Sequence, residues 1–420
     1  MGSIQDALLL ETENFPKLVL SAAIKTKLEE AGFDDPTEMA NGLAEHALSG
    51  EKGELIWREG DDTVGLPEQV TVTFTDEDIA ALDASIKEFF SSGLPKLVRD
   101  ISADAVRGLV SKLKSDWPAH YDYEKARLAM FEHNLEARWG KALDLLRVIL
   151  TTSREIGGET VTRFKRSRAR SRRQCQEVLL LLHGRACQVT AEIITLLEHG
   201  YADGAMARWR TLREIEIVAL VIADGGDDVA EQYVAYQAIE DKKEMREYEQ
   251  SPSATCPIAR RDKRLIDKAY SAAIKRFGPA FGKRNGWAAR YLNRNDVTLR
   301  DLEEAAGRAS GRMHYMMASH NIHAGPKGVF FRLGHPDTSI ALLAGASNAG
   351  LDEAGAKAAH SLTCITGLVF PSKLTLDDII ILETLLTLRD QAIRAFERIG
   401  RKLIREHRRK MKKGRSRRKA

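Results

Sequence analysis

Paired cysteines, long apolar runs and the familiar nucleotide and metal motifs are all missing from this chain of 420 residues. Its four cysteines, Cys175, Cys187, Cys256 and Cys364, are scattered and form no CxxC pair, which excludes a disulfide framework or a thiolate zinc site and fits reduced thiols in a cytosol. The longest apolar runs, such as Val178 to Leu182, stop far short of the ~20 residues that cross a bilayer, so no integral membrane association is expected. The opening stretch MGSIQDALLLETENFPK lacks a basic segment followed by a long apolar one; a signal peptide is not expected, and a cytoplasmic location is. GxxxxGK[ST], GxGxxG after a strand, HExxH and a calcium loop are missing too. ATPase, dehydrogenase and zinc-protease classes therefore drop out, and no cofactor is expected.

What is present is an ordinary globular composition, 43% apolar and 30% charged. The chain is too long for one hydrophobic core, so two folded regions and a tail are expected. Charge is unevenly spread. Residues 398–420 carry thirteen Lys and Arg against the single acid Glu406, a balance of +12, so a net +4 leaves −8 for everything before them. An acidic body with a basic end points to a polyanionic partner for that end, with nucleic acid first.

Residues 1–120 alternate short helical patterns with Gly, Pro and Asp breakers and form an N-terminal helical region, a surface expected to suit a partner protein. Within it Val70 to Thr75, VTVTFT, alternates apolar and polar residues, which predicts a short β element near 70–75. Thr75 followed by Asp78 predicts a capped helix over 76–90. From Tyr121 the apolar period lengthens into helices over 121–152, 174–198, 202–223, 229–249, 260–277, 301–319, 352–368 and 376–407. Gly157-Gly158, Gly200, Gly225-Gly226 and Gly278-Pro279 are expected to separate them. The fold class is all-α: a helical bundle over 121–397, with a basic tail over 398–420 that is expected to be disordered from about 412, where apolar residues larger than Ala run out.

Two segments carry chemistry. Ile215 to Ala223 is apolar on nearly every helical face, yet Arg208, Arg210, Arg213, Glu214 and Glu216 lie in or beside it. Arg210 and Glu214 have the i,i+4 spacing of an ion pair. Buried charges need partners, so the segment reads either as an ion network locking helices together or as the lining of a site. In Arg312 to Gly328, Tyr315, Ser319 and His323 fall at i, i+4 and i+8, on one face of a helix that is expected to end at Ala324-Gly325-Pro326. His323 at that end would be favoured as an imidazolium and could move a proton near neutral pH, or it could simply cap the helix. His314, His320 and His323 have no carboxylate or thiolate beside them, so no metal is expected, and no nucleophile elbow surrounds Ser319. His183 and Cys187, four apart on an apolar helix, read as core residues.

Over residues about 130 to 395 the chain resembles a family of uncharacterised bacterial helical proteins. The shared pattern is the run Gly204-Ala205-Met206-Ala207-Arg208-Trp209-Arg210-Thr211-Leu212-Arg213-Glu214 into a buried helix, then Tyr315, Ser319, His323 and Pro326. That family looks like a distant branch of the HEPN superfamily. The resemblance implies helical bundles acting as metal-independent ribonucleases in toxin and phage-defence systems, with a closely spaced Arg and His meeting at a homodimer interface and RNA cleaved through its 2′-hydroxyl. Arg308 with His314 and Arg401 with His407 are closely spaced in this way, whereas Arg312 precedes His323 by eleven residues.

Two functions follow. In the first, the chain is a non-catalytic helical protein that binds nucleic acid, RNA ahead of DNA, or another polyanion. The contacts would come from Arg405, Arg408, Arg409, Lys410, Lys412, Lys413, Arg415, Arg417, Arg418 and Lys419, with Arg166, Arg168 and Arg170 of the basic linker 162–173. In the second, it is a metal-independent ribonuclease. There His323 would move the proton, Arg210 or Arg213 would steady the anionic phosphorane, Glu214 would orient an Arg, and Tyr315 and Ser319 would complete the face.

Overall fold

The computed structural model describes residues 3–50, 71–167, 171–251, 256–320, 322–323, 325–330, 332–335, 343–371 and 373–417, with the backbone alone at Ser3, Ile4, Ala7 and over 410–417. Among these residues every regular element is helical, and no strand occurs. The 3.6-residue apolar period has been obeyed almost throughout. Contact density divides the chain into two units, Met1–Tyr123 and Glu124–Ala420.

The first unit holds α1 (Ser3–Glu30), α2 (Thr37–Ser49), α3 (Asp76–Glu88) and the beginning of α4 (Leu94–Arg166). Its core is small: Ile24, Leu28, Ala40 and Ala44, with Leu20, Phe33, Val72 and Phe74 against them. The β element foreseen near 70–75 is not formed. Val70 lies outside the described residues, and 71–75 run without regular structure, with no second strand among the described residues to pair with. Their alternation serves to turn Val72 and Phe74 onto the α1–α2 core. Thr75 caps α3 as its sequence requires, with Asp78 Oδ2 accepting from the Thr75 amide at 2.8 Å.

The second unit is built on α5 (Arg173–Glu198), α6 (Ala202–Ala235), α7 (Gln237–Gln250), α8 (Arg260–Phe277), the short α9 (Ala289–Leu292), α10 (Leu299–Ala305), α11 (Arg312–His320) and α12 (Pro326–Phe330), and finally α13 (Leu351–Gly367) and α14 (Leu376–Arg417). α6 packs on α5 and α13, and α13 on α14. α4 joins this core from Leu135 onward, placing Trp139, Leu143, Leu146 and Ile149 in it. α5 is apolar over a length that could cross a bilayer, but half of that stretch is buried inside the bundle, as a core helix would be.

Glycine separates the observed helices from the expected ones. Gly157 and Gly158 do not break α4; a Cβ at Gly157 would stand 2.7 Å from the His183 ring, so the residue is small to let α5 approach. Gly226 does act as a hinge, with φ 68° and ψ −151° bending α6. The expected single helix over 301–319 is divided, because Gly307 takes φ +64° after α10 and the chain re-enters helix through the turn Ala309–Gly311.

α14 is fixed at its start by a capping box. Asp378 Oδ2 accepts from the Thr375 amide at 3.0 Å, Thr375 Oγ1 accepts from the Asp378 amide at 3.2 Å, and Arg163 of α4 reaches Asp378 at 2.8 Å. Farther along, Phe396 is fully buried against Trp139 and over Gly355. The helix then continues to Arg417, past the point at about 412 where disorder was expected. Lys and Arg are good helix formers, and the sequence between Gly400 and Gly414 holds no residue that breaks a helix.

Candidate functional site

Trp209, Arg213 and Glu216 sit at i, i+4 and i+7 on α6 and so share one face, turned toward α13 and the turn before α11. Glu216 is wholly buried. Its carboxylate accepts from Arg308 Nε at 2.8 Å, from Arg213 Nη1 at 3.1 Å and from Ser361 Oγ at 2.7 Å. The Trp209 indole donates to Ser361 Oγ at 3.3 Å, and His360 Nε2 stands 4.0 Å from Glu216. Burial pushes the Glu216 carboxyl up, but the Arg213 charge and the hydrogen bonds from Arg308 and Ser361 outweigh it and hold the group below the usual carboxylate range. Burial, reinforced by Arg308, Arg389 and Arg213, keeps the His360 ring below its ordinary value in spite of Glu216.

The Arg213 guanidinium is also clamped by backbone. Its Nη2 donates to the Arg308 carbonyl at 2.7 Å, and a Cβ at Gly311 would come within 2.5 Å of the same nitrogen. The turn that divides the expected 301–319 helix is thus the turn that covers this arginine.

The other face of α6 meets α11. Tyr315 donates its hydroxyl to Glu214 Oε1 at 2.5 Å, Arg210 lies over the Tyr315 ring at 4.8 Å, and Arg210 Nε is 3.4 Å from Glu214. Burial and the Glu214 bond push the Tyr315 phenol up to about 12, so it remains a donor at neutral pH. Removing that hydroxyl in Tyr315→Phe is expected to cost about 1 kcal/mol of stability, small because Glu214 is half-exposed and water can replace the donor. Urea unfolding with an unchanged denaturant slope is the measurement.

Of the residues expected to form a catalytic face, Arg210, Glu214 and Tyr315 come together, whereas Arg213, Ser319 and His323 do not join them. Arg213 is taken by Glu216, and Ser319 Oγ donates back to the Tyr315 carbonyl at 2.9 Å. α11 ends at His320, so the i+8 position no longer lies on the helix and His323 is exposed beyond it. Asn321, a residue type that commonly terminates helices, was the signal for this earlier end. His314 pairs with Glu353 at 2.5 Å, and Arg312 with the fully buried Glu303 at 2.8 Å.

Residues 176–340 match DUF5677, a family of unknown function. No curated protein and no solved structure matches the chain. The DUF5677 segment contains Arg210, Arg213, Glu214, Glu216, Arg308 and Tyr315, and so both faces of the α6 charge system; it stops short of α13, which supplies His360 and Ser361. The match brings no support for an HEPN relationship. His360, Ser361 and Cys364, whose Sγ accepts from Arg308 Nη2 at 3.2 Å, are not marked by any local motif, because they lie 144 to 148 residues from Glu216. A weak signal existed: Glu353, Lys357, His360 and Cys364 fall at i, i+4, i+7 and i+11, a polar stripe on a helix otherwise rich in Ala.

Still within the DUF5677 segment, His183 and Cys187 are core residues, as expected. His183 Nε2 lies 3.2 Å from Thr366 Oγ1, and burial lowers its pKa to about 4 while raising that of Cys187 to about 11. They border a cleft of about 400 Å³ between α4 and α5, lined also by Arg154, Gly157, Gly158 and Gly184. At neutral pH that cleft presents a neutral imidazole and a thiol, neither charged. Among the described residues, no group of three His, Cys, Asp or Glu is placed to hold a metal ion.

The cations foreseen for nucleic acid lie elsewhere. Arg166 at the end of α4 is exposed, as are Arg405, Arg408 and Arg409 on α14. Lys410, Lys412, Lys413, Arg415 and Arg417 belong to the α14 backbone path; Arg168, Arg170, Arg418 and Lys419 lie outside the described residues.

Proposed function

We propose that the chain is a non-catalytic helical protein that binds nucleic acid, RNA ahead of DNA, or a comparable polyanion, through the basic end of α14. One observation carries the reading. Arg398, Lys402, Arg405, Arg408 and Arg409 are all exposed on one helix, and none has an acidic partner among the described residues; only Arg401 is paired, with Glu397 at 3.3 Å. Surface cations are normally interspersed with acids, so a run left unneutralised carries a field suited to phosphates. The four free thiols fit the expected reducing cytosol.

Each phosphate contact contributes about one unit to the slope of log affinity against log salt. The triple variant R405A/R408A/R409A is therefore expected to lower that slope by about three and to weaken RNA binding at least tenfold at physiological salt, with helicity unchanged. Fluorescence anisotropy across a salt series, on RNA and DNA of matched length, is the measurement; an unchanged slope and affinity would remove α14 as the binding element.

A second reading, metal-independent RNA cleavage in a bacterial toxin or defence setting, is favoured by the assembled Arg210–Glu214–Tyr315 cluster. It rests on the HEPN resemblance for its chemistry and needs His323 to approach that cluster. RNA incubated with chelator and either the natural chain or His323→Ala tests it: equal cleavage, or none by either, ends this reading.

A further inference from the structure

Between residues 94 and 123, α4 buries none of its side chains, yet it is not polar. Val106, Leu109, Val110, Leu113, Trp117 and Tyr121, with Val98 two turns before them, fall on one broad side of the helix, about 140° wide at roughly 100° per residue, and they are 37 to 70% exposed. A helix of this length gains little from propensity alone and is ordinarily held by burying such a stripe. At these exposures the stripe presents on the order of 700 Å² of apolar side-chain surface, close to the roughly 800 Å² per partner of a standard interface.

The order of the residues says what covers it. The positions of the stripe, though not its residue types, are spaced symmetrically about the midpoint between Leu109 and Val110, with Ser102 at the place opposite Trp117. Laid antiparallel on a second copy at that centre, Leu109 faces Val110, Val106 faces Leu113, Val98 faces Tyr121, and the largest side chain, Trp117, faces the small Ser102. Large against small at each level is what close packing of two helices requires. A surface complementary to itself under a two-fold rotation is the hallmark of an isologous dimer, in which the same patch serves on both sides. Lys112 would come opposite Arg107, the one pair of like charges near the centre, and Asp104 lies beside that arginine on the same helix. We propose that residues 98–121 of α4 pair antiparallel with the same residues of a second copy of this chain, forming a symmetric homodimer.

Sedimentation velocity on the full chain, from submicromolar to high micromolar concentration, should show a reversible dimer. Leu113→Lys places a charge at two symmetry-related levels and should weaken association about a hundredfold. Because that variant could also loosen the helix, cross-linking supplies an independent test in a Cys256→Ser background. Leu109→Cys, next to the two-fold axis, should cross-link to itself, whereas Val98→Cys should cross-link only when mixed with Tyr121→Cys. Self-cross-linking of Val98→Cys would overturn the antiparallel arrangement. A chain that stays monomeric, that dimerises equally well with Leu113→Lys, or that is recovered only with a different protein on this stripe would overturn the proposal.

Discussion

Glu216→Gln is expected to unfold the bundle more readily by about 3–5 kcal/mol, among the largest effects of any single polar substitution in the chain. The carboxylate is wholly buried and answers two guanidinium groups, Arg213 and Arg308. The amide keeps the volume and one acceptor but removes the charge, leaving both arginines without compensation where water cannot reach Arg213. Urea denaturation near pH 7 measures the loss. The same group gives stability a pH dependence of definite sign. Its folded pKa lies below the unfolded value of about 4.3, so its contribution is complete above that pH and disappears as pH falls through the lower folded value. The variant should lack this part of the acid dependence, so that its curve and that of the natural chain converge toward low pH. Parallel curves would show that Glu216 is not held as an anion.

Phe396→Ala should cost a comparable 3–5 kcal/mol through a cavity and not through charge. The ring fills the space between Trp139 of α4 and Gly355 of α13, where any larger side chain at 355 would collide with it. Gly355 has no side chain with which to close the gap, so relaxation is limited and the cost belongs at the upper end of the range. Because Phe396 is, among the described residues, the last large side chain fully buried on α14, its loss is also expected to free the helix from that point on. Amide hydrogen exchange beyond residue 396 should accelerate far more than exchange in α5. Uniform acceleration would mean that α14 does not open separately.

The all-helical class was legible because apolar residues recur at helical spacing over long segments, and α8 begins and ends where the sequence predicts, at Arg260 and Phe277. Glycines were harder to read. Gly226 bends its helix, whereas Gly157 lets His183 come close, and nothing in the local sequence separates a residue chosen for its backbone from one chosen for lacking a side chain. The charge system was legible in half. An Arg- and Glu-bearing segment inside an apolar helix must find partners, and it does. Which partners they are depends on α13 and on a turn about ninety residues away, which no spacing rule encodes. The Tyr-Ser-His face failed at a single boundary: the helix stops at His320, three residues before the position that the face required.

The helical course of α14 as far as Arg417 changes the kind of contact its charges can make. A flexible polycation wraps a phosphate chain at any register. A helix from Arg398 to Arg417 instead behaves as a rod about 30 Å long, since each residue advances it by about 1.5 Å. Laid along a duplex, which carries one phosphate for about every 1.7 Å of axis, such a rod would shade a footprint of roughly nine base pairs. Binding would then saturate at a stoichiometry set by that length, and oligonucleotides shorter than the footprint would lose affinity step by step as each turn of helix ran out of phosphates to meet.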